Sequence, residues 1–282
     1  MHVTWTLRVR TASGASIPHL IDIKLWVPTR DARFARYSDS QSPSYFSLKT
    51  LFLIPTPLAD DTAPQVLPPQ VVAAVAALPY FLVENARTAR RFVKSVAPHR
   101  VIEDIRFVVI DKDSTDAEVR AALAPLVKEG IDAGILSEAG CPGIADPGAA
   151  LAREAHRQGL RVVPLVGPSS LLLALMASGL NGQQFAFHGY LPIEKVPRVA
   201  AIKALEKEAQ QRQQSQLFIE TPYRNGALFA DLLAHLHSGT RLCVAADVTG
   251  AGEFIRTLTV SDWKRLPAPE LHKIPTVFII GT

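Results

Sequence analysis

Glu84 and Arg87 stand one helical turn apart in "FLVENARTARRF", where an apolar run gives way to a basic one. A carboxylate there can take a proton from a bound acceptor or orient it, and a guanidinium one turn on can hold a phosphate or carboxylate. The alternative for Glu84 is a negative charge that favours the dipole of the helix it precedes. A second concentration of chemistry is "SEAGCPGIADPG" (137–148), where glycine and proline outnumber functional side chains. Gly140 and Gly143 let main chain approach a ligand with no Cβ in the way, and Pro142 and Pro147 stiffen the segment. Asp146-Pro147-Gly148 is accounted for by helix capping, Asp at the cap and Pro in the first turn. The stretch from Gly140 to Ile144 is longer than a cap requires and reads as a ligand contact. Cys141 is a main-chain contributor, since no partner base accompanies it.

Other candidates are weaker. His188 in "FAFHGYL" reads as a satisfied buried group. His235 and His237, two apart on an expected helix, face different ways and make a poor metal pair, so no metal site is expected. Glu138 reads as either a cap-region charge or an acceptor contact. The run "ARTARRFVK" fits a solvated helix face or an RNA contact. No G-x-x-x-x-G-K-[ST] is present, and no G-x-G-x-x-G follows the first strand, which excludes a P-loop nucleotidase and a standard dinucleotide site.

The elements that must position these residues follow from periodicity. From residue 51, short apolar runs alternate with helical patterns: "LFLIP", "YFLVE", "IRFVVID", "DAGILSE" and "RVVPLV" as strands, with helices between them. "STDAEV" supplies a capping box, Thr115 with Glu118. That spacing implies a mostly parallel, covered sheet over 51–180, whose ligand site lies beyond the carboxyl ends of its strands. Three loops leave that edge: "PTPLADDT", "SEAGCPG" and "VGPSSLL". From 185 to 282 a hairpin, "RLCVAADVT" with "EFIRTLTV", points to a second α/β domain with a mixed sheet.

Composition bounds the class. Of 282 residues 48% are hydrophobic, enough for full cores. The two cysteines, Cys141 and Cys243, form no disulfide framework, which implies a reducing, cytoplasmic setting. No signal peptide or membrane span is evident, "LLLALMASGL" being too short to cross a bilayer. The formal charge of +4 lies entirely in residues 1–50, which show no sustained period. They read as an N-terminal extension, either a disordered basic arm or a start placed upstream of the true one, for example of Leu48.

The segments "LFLIPTPL", "ENARTARRF", "SEAGCPGIADPGAALAREAHRQGLRVVPLVGPSSLLLALMASGL", "FAFHGYLP" and "ETPYRNGALFADLL" stand in the order found in the tetrapyrrole-methylase superfamily. Over about four-fifths of its length the chain resembles that superfamily, and within it the 16S rRNA cytidine 2'-O-ribose methyltransferases. The resemblance implies two α/β domains with S-adenosylmethionine (SAM) in the cleft between them, a homodimer, and RNA of the small ribosomal subunit as a substrate. By matching segments it implies that Pro55 and Pro57 line the SAM site and that Gly140, Cys141, Pro142 and Ile144 hold the amino-acid part. It gives polar contacts to Ser169 and Ser170, the domain crossing to Tyr190 and Leu191, and the adenine side to Tyr223 and Ala246. The usual Gly-Asn-Leu, Glu-Asp-Thr-Arg and Ser-Asp-Ala-Gly-Thr-Pro read here Ala59-Asp60-Asp61, Glu84-Asn85-Ala86-Arg87 and Ser137-Glu138-Ala139-Gly140-Cys141-Pro142. The acceptor stays open between RNA and a tetrapyrrole or other small molecule. A module that holds SAM without chemistry is the reading of another class.

Overall fold

A computed structural model of the chain describes residues 49–146 and 148–281. The N-terminal extension therefore lies outside the described residues, apart from Lys49 and Thr50 at its end.

The first half is built from β1 (Thr50–Ile54), α1 (Ala63–Val66), α2 (Pro69–Ala77), β2 (Tyr80–Val83), α3 (Ala86–Val96), β3 (Arg106–Val109), α4 (Asp116–Lys128), β4 (Ala133–Leu136), α5 (Gly148–Arg157) and β5 (Arg161–Pro164). The strands form one sheet in the order β3-β2-β4-β1-β5, every pairing parallel. Alternation along β2 divides two apolar cores. Tyr80 and Leu82 meet Leu123, Leu126 and Leu151 on one face, and Phe81 and Val83 meet Val71, Val75 and Val93 on the other. Burial on both faces is why these strands are continuous apolar runs. The capping box forms as expected: Thr115 Oγ1 accepts from the Glu118 N–H at 3.3 Å, and Glu118 Oε2 accepts from the Thr115 N–H at 2.7 Å.

The second half comprises α6 (Ser170–Ser178), β6 (Phe185–Tyr190), α7 (Lys195–Arg212), β7 (Ser215–Ile219), α8 (Asn225–His235), β8 (Arg241–Ala246), β9 (Phe254–Thr259), α9 (Val260–Trp263) and β10 (Thr276–Gly281). Its sheet runs β6-β7-β10-β8-β9 and is mixed: β6 and β7 are parallel, and the other pairs antiparallel. The fold is thus α/β with one parallel and one mixed sheet. Phe218, Val244 and Phe278 pack under α7 and α8, while Leu217, Cys243, Ala245 and Ile279 face α6.

Several placements differ from the sequence reading. Helix α6, grouped by sequence with the first half, lays Ala174 and Leu175 on the second sheet, and Thr257 Oγ1 donates to the Ser178 carbonyl at 2.7 Å. A helix apolar nearly all round carries no mark of which sheet it covers. His188 is exposed rather than buried, because β6 is an edge strand; its Nε2 lies 2.6 Å from Gln216 Oε1. Helix α8 ends at His235, so His237 lies off it and turns its Nδ1 to the Gly239 N–H at 3.1 Å. Among the described residues no helix is long and apolar enough to cross a membrane.

Candidate functional site

The loops after β1, β4 and β5 leave three adjacent strands at one edge, as parallel pairing requires. They meet at Gly140. Its N–H donates to the Thr56 carbonyl at 3.1 Å and its own carbonyl accepts from the Thr56 N–H at 2.9 Å, a bridge between the first and second loops. Ser137 Oγ donates to the same Gly140 carbonyl at 3.0 Å. Cys141 Sγ reaches the Pro168 carbonyl at 3.3 Å, which ties in the third loop. Gly140 has φ +77°, and a Cβ there would stand 3.1 Å from Leu58 Cδ2 and 3.5 Å from the Pro168 carbonyl oxygen. Only glycine fits that backbone without strain.

Beyond these loops a cleft of about 360 Å³ opens between the two sheets. The near wall includes Leu58, Ser137, Gly140, Cys141, Ile144 and Ser169, and the far wall Phe187, Tyr190, Ile219, Pro222, Val248 and Thr276. Five carboxylates line it, Glu84, Glu138, Asp146, Glu220 and Asp247, and no lysine or arginine does among the described residues. The cleft is therefore a site of negative potential with apolar walls, suited to a cation with an apolar or aromatic body.

The acids are held individually. Asp146 Oδ1 accepts from the N–H groups of Gly143 at 2.5 Å and Gly148 at 2.8 Å, which is capping, while its buried Oδ2 has no partner. Burial raises the Asp146 carboxyl above its ordinary value against those two hydrogen bonds. Burial likewise raises Glu84, Asp146 and Glu138 add repulsion, and a hydrogen bond from the Glu138 backbone opposes them. Thr88 Oγ1 donates to Glu138 Oε1 at 2.5 Å, fixing that carboxylate to the first turn of α3. The Glu220 side chain is only 1% exposed; its Oε1 accepts from Arg224 at 2.7 Å and the Thr221 N–H at 2.6 Å, and Oε2 has no partner. Burial pushes the Cys141 thiol up, so it is not an activated nucleophile.

Of the residues named from sequence, the cleft brings together Glu84, Gly140, Cys141, Ile144, Ser169, Ser170 and Tyr190. Pro57 lines a neighbouring groove, and Pro55 packs against Gly167 beneath the loops. Pro142 is buried in its loop, Leu191 and Ala246 lie in the core under α7 and α8, and Tyr223 stands 71% exposed beside His272. Arg87 is exposed on α3, its N–H donating to the Asn85 cap at 2.9 Å. Sequence reasoning missed Glu220 and Asp247, each directly after a strand of the second sheet, and Thr276, the first residue of β10. For the two acids the signal available was position: a polar residue directly after a continuous apolar strand. Among the described residues no cluster of three or more His, Cys, Asp or Glu could hold a metal ion.

No family model matches the chain. It is 31% identical over 229 residues to the ribosomal RNA small subunit methyltransferase I of Pseudomonas aeruginosa, a match spanning 80% of this chain and 73% of that one. With the protein of the same name from Neisseria meningitidis serogroup B it shares 27% identity over 216 residues, 76% of this chain and 68% of the other. Among solved structures, the methyltransferase CobJ shares the fold with a TM-score of 0.56 at 21% identity, covering 84% of this chain and 95% of that one.

Proposed function

We propose that this chain, which belongs to the ribosomal RNA small subunit methyltransferase I family of the tetrapyrrole-methylase superfamily, binds SAM in the cleft between its two sheets and methylates a ribose 2'-hydroxyl of small-subunit ribosomal RNA. The chain is a methyltransferase by that membership; donor, acceptor and residue roles are our reading. The observation that carries it is the charge of the cleft: among the described residues five carboxylates and no lysine or arginine line it, and of the five Glu220 alone pairs with a cation, Arg224. SAM has a sulfonium and an ammonium against one carboxylate, so a site with no lining cation fits it and disfavours polyphosphate cofactors. The rim at Gly140, which a Cβ would fill, and the unpartnered Asp146 Oδ2 fit a ligand that uses main chain and acceptor groups.

When bound, SAM supplies an electrophilic methyl carbon on sulfur. The residues of this chain do the rest. Gly140, Cys141, Ile144, Ser169 and Ser170 hold the donor, and Pro55, Pro57 and Pro142 stiffen the loops that present them. On the other side, Tyr190 with Phe187, Ile219 and Val248 shapes the wall against the adenine, and Leu191 and Ala246 lie in the core behind it. Glu84 would take the proton of the acceptor hydroxyl. A carboxylate whose pKa is raised is the stronger base for that transfer. Arg87, two residues past the Asn85 cap, holds the acceptor by an anionic group. The two sheets exclude water from the line of attack.

In this reading the enzyme works in the cytoplasm as a homodimer. Leu172 and Met176, on one stripe of α6, and Phe185 on the edge strand β6 are exposed apolar residues that a second copy would cover. A specific observation favours a second acceptor, a tetrapyrrole or other small molecule: the neighbouring groove has apolar walls that include Val72, Phe92 and Val96. Tritium transfer from methyl-labelled SAM separates the two. Label in small ribosomal subunits supports the RNA reading. Label only in a small-molecule extract refutes it.

A further inference from the structure

A groove of about 1010 Å³ runs between α2 and α3 and joins the cleft through Leu58, Ser137, Glu138 and Ala139. Its floor and walls are largely apolar, with Val72, Ala76, Phe92 and Val96 among the lining residues. Its two lips have opposite charge. One is the loop with Asp60 and Asp61; the other is α3, which supplies Thr88, Arg91 and Ser95.

Helix α3 carries Arg87, Arg90, Arg91 and Lys94 and no acid, while Ala89 and Val93 are buried beneath it. Arg87, Arg91 and Lys94 recur at i, i+4 and i+7, one stripe of the helix. Two of the four cations are engaged: Arg90 lies over the Phe107 ring at 5.5 Å, and Lys94 Nζ donates to the Pro98 carbonyl at 2.8 Å. The guanidinium groups of Arg87 and Arg91 make no hydrogen bond or ion pair among the described residues. By contrast, Arg106, Arg198 and Arg224 each pair with a carboxylate at 2.7 Å. Two unpaired arginines on a basic stripe beside an apolar groove match a single strand of RNA, whose phosphates seek cations while its bases seek apolar or stacking surfaces.

We infer that the α3 stripe and this groove form the acceptor-RNA surface: phosphates lie along Arg87 and Arg91, and the acceptor base enters between α2 and α3, bringing its ribose to the junction at Ser137 and Glu138. The inference rests on the RNA reading above and deepens it. Asp60 and Asp61 act as the repelling lip, which confines the strand to the α3 side and fixes how it lies. Thr88, bonded to Glu138, couples the groove to the cleft.

The test uses the full chain and small-subunit RNA, with affinity measured across a salt series, and S-adenosylhomocysteine binding measured by calorimetry on the same samples. Arg91→Ala is expected to weaken RNA binding and to reduce the slope of log affinity against log salt by about 0.7, the share of one single-strand phosphate contact. Arg91→Lys keeps the charge and the slope. Asp60→Asn with Asp61→Asn is expected to tighten RNA binding. S-adenosylhomocysteine affinity and the melting temperature stay at wild-type values in all three. If wild type methylates small-subunit RNA while Arg91→Ala and the Asn pair keep its affinity and slope, the inference fails and the RNA reading stands. If wild type binds no small-subunit RNA at low salt, both fail.

Discussion

Replacing Gly140 by alanine tests whether main chain holds the donor. The residue sits at φ +77° and its carbonyl and N–H bridge Thr56. A left-handed backbone disfavours an alanine by about 1–2 kcal/mol, and the new Cβ would also press on Leu58 Cδ2 at 3.1 Å. Leu58 is a flexible side chain and can yield, so the backbone term sets the scale. If the loop relaxes away from its bridging geometry, that energy appears as lost affinity, about 5- to 30-fold for S-adenosylhomocysteine in calorimetry. If the loop holds, it appears as lost stability instead, at about 2–4 °C of melting temperature per kcal/mol for a chain of this size class. Gly159→Ala separates the two. Gly159 has φ +69° and nothing within 4 Å of the position a Cβ would take, so it carries the same strain far from the cleft. The expected result is a larger melting shift for Gly159→Ala, with weakened ligand binding for Gly140→Ala alone. Wild-type affinity in Gly140→Ala, with both variants equally destabilised, would refute the main-chain cradle.

Glu84→Gln should lower kcat while leaving S-adenosylhomocysteine affinity near wild type. Wild-type kcat should rise with pH through a value above the ordinary carboxylate range, because the base acts ionised. The same raised pKa gives the folded chain a proton that the unfolded chain has already released. Stability contributed by Glu84 therefore falls as pH rises above the ordinary value towards the raised one, a slope that Glu84→Gln removes in melting curves. Arg198→Ala strands Asp231, its partner at 2.7 Å with side chains 12% and 14% exposed, and should destabilise by about 2–4 kcal/mol in urea unfolding; a loss below about 1 kcal/mol would mean the pair is solvated. Met176→Glu places a charge on the exposed stripe of α6 and should convert a dimer to monomers in sedimentation, with an unaltered melting profile of the monomer; an unchanged sedimentation coefficient would place the dimer contact elsewhere.

The parts of this protein that local chemistry dictates could be read from its sequence. The capping box at Thr115, the two-sided apolar strands β2 and β4, and the hairpin of β8 with β9 each depend on neighbours within a few residues. Loop "SEAGCPG" was legible for the same reason, since its glycines and prolines declare backbone shape. What depends on a partner far along the chain was not legible. Helix α6 has apolar residues on most of its faces, and only the register of the second sheet selects which face is buried. His188 reads as buried because it sits in a strand, and only the sheet order, which puts β6 at the edge, exposes it.

The charge of the cleft is the fullest case of that limit. Beyond residue 50 the chain is balanced in acids and bases, which by itself points to a site without strong potential. Folding separates those charges. Glu84, Glu138, Asp146, Glu220 and Asp247 come from four segments and two sheets, each in the connection that follows a strand whose carboxyl end points at the cleft. The bases of "ARTARRFVK" stay together on α3 because one helix holds them all. A neutral total thus resolves into an acidic pocket and a basic ridge, set side by side at the junction of Thr88 with Glu138; we propose that they serve a cationic donor and an anionic acceptor. Raising salt should then act unequally on the ligands of one enzyme. It should weaken binding of RNA and of the positively charged donor, and leave the neutral product S-adenosylhomocysteine nearly unaffected, so that the preference for donor over product narrows. A donor-to-product affinity ratio independent of salt would show that the five carboxylates are neutralised in the folded state, by protons or by their own hydrogen bonds, and do not act on the ligand.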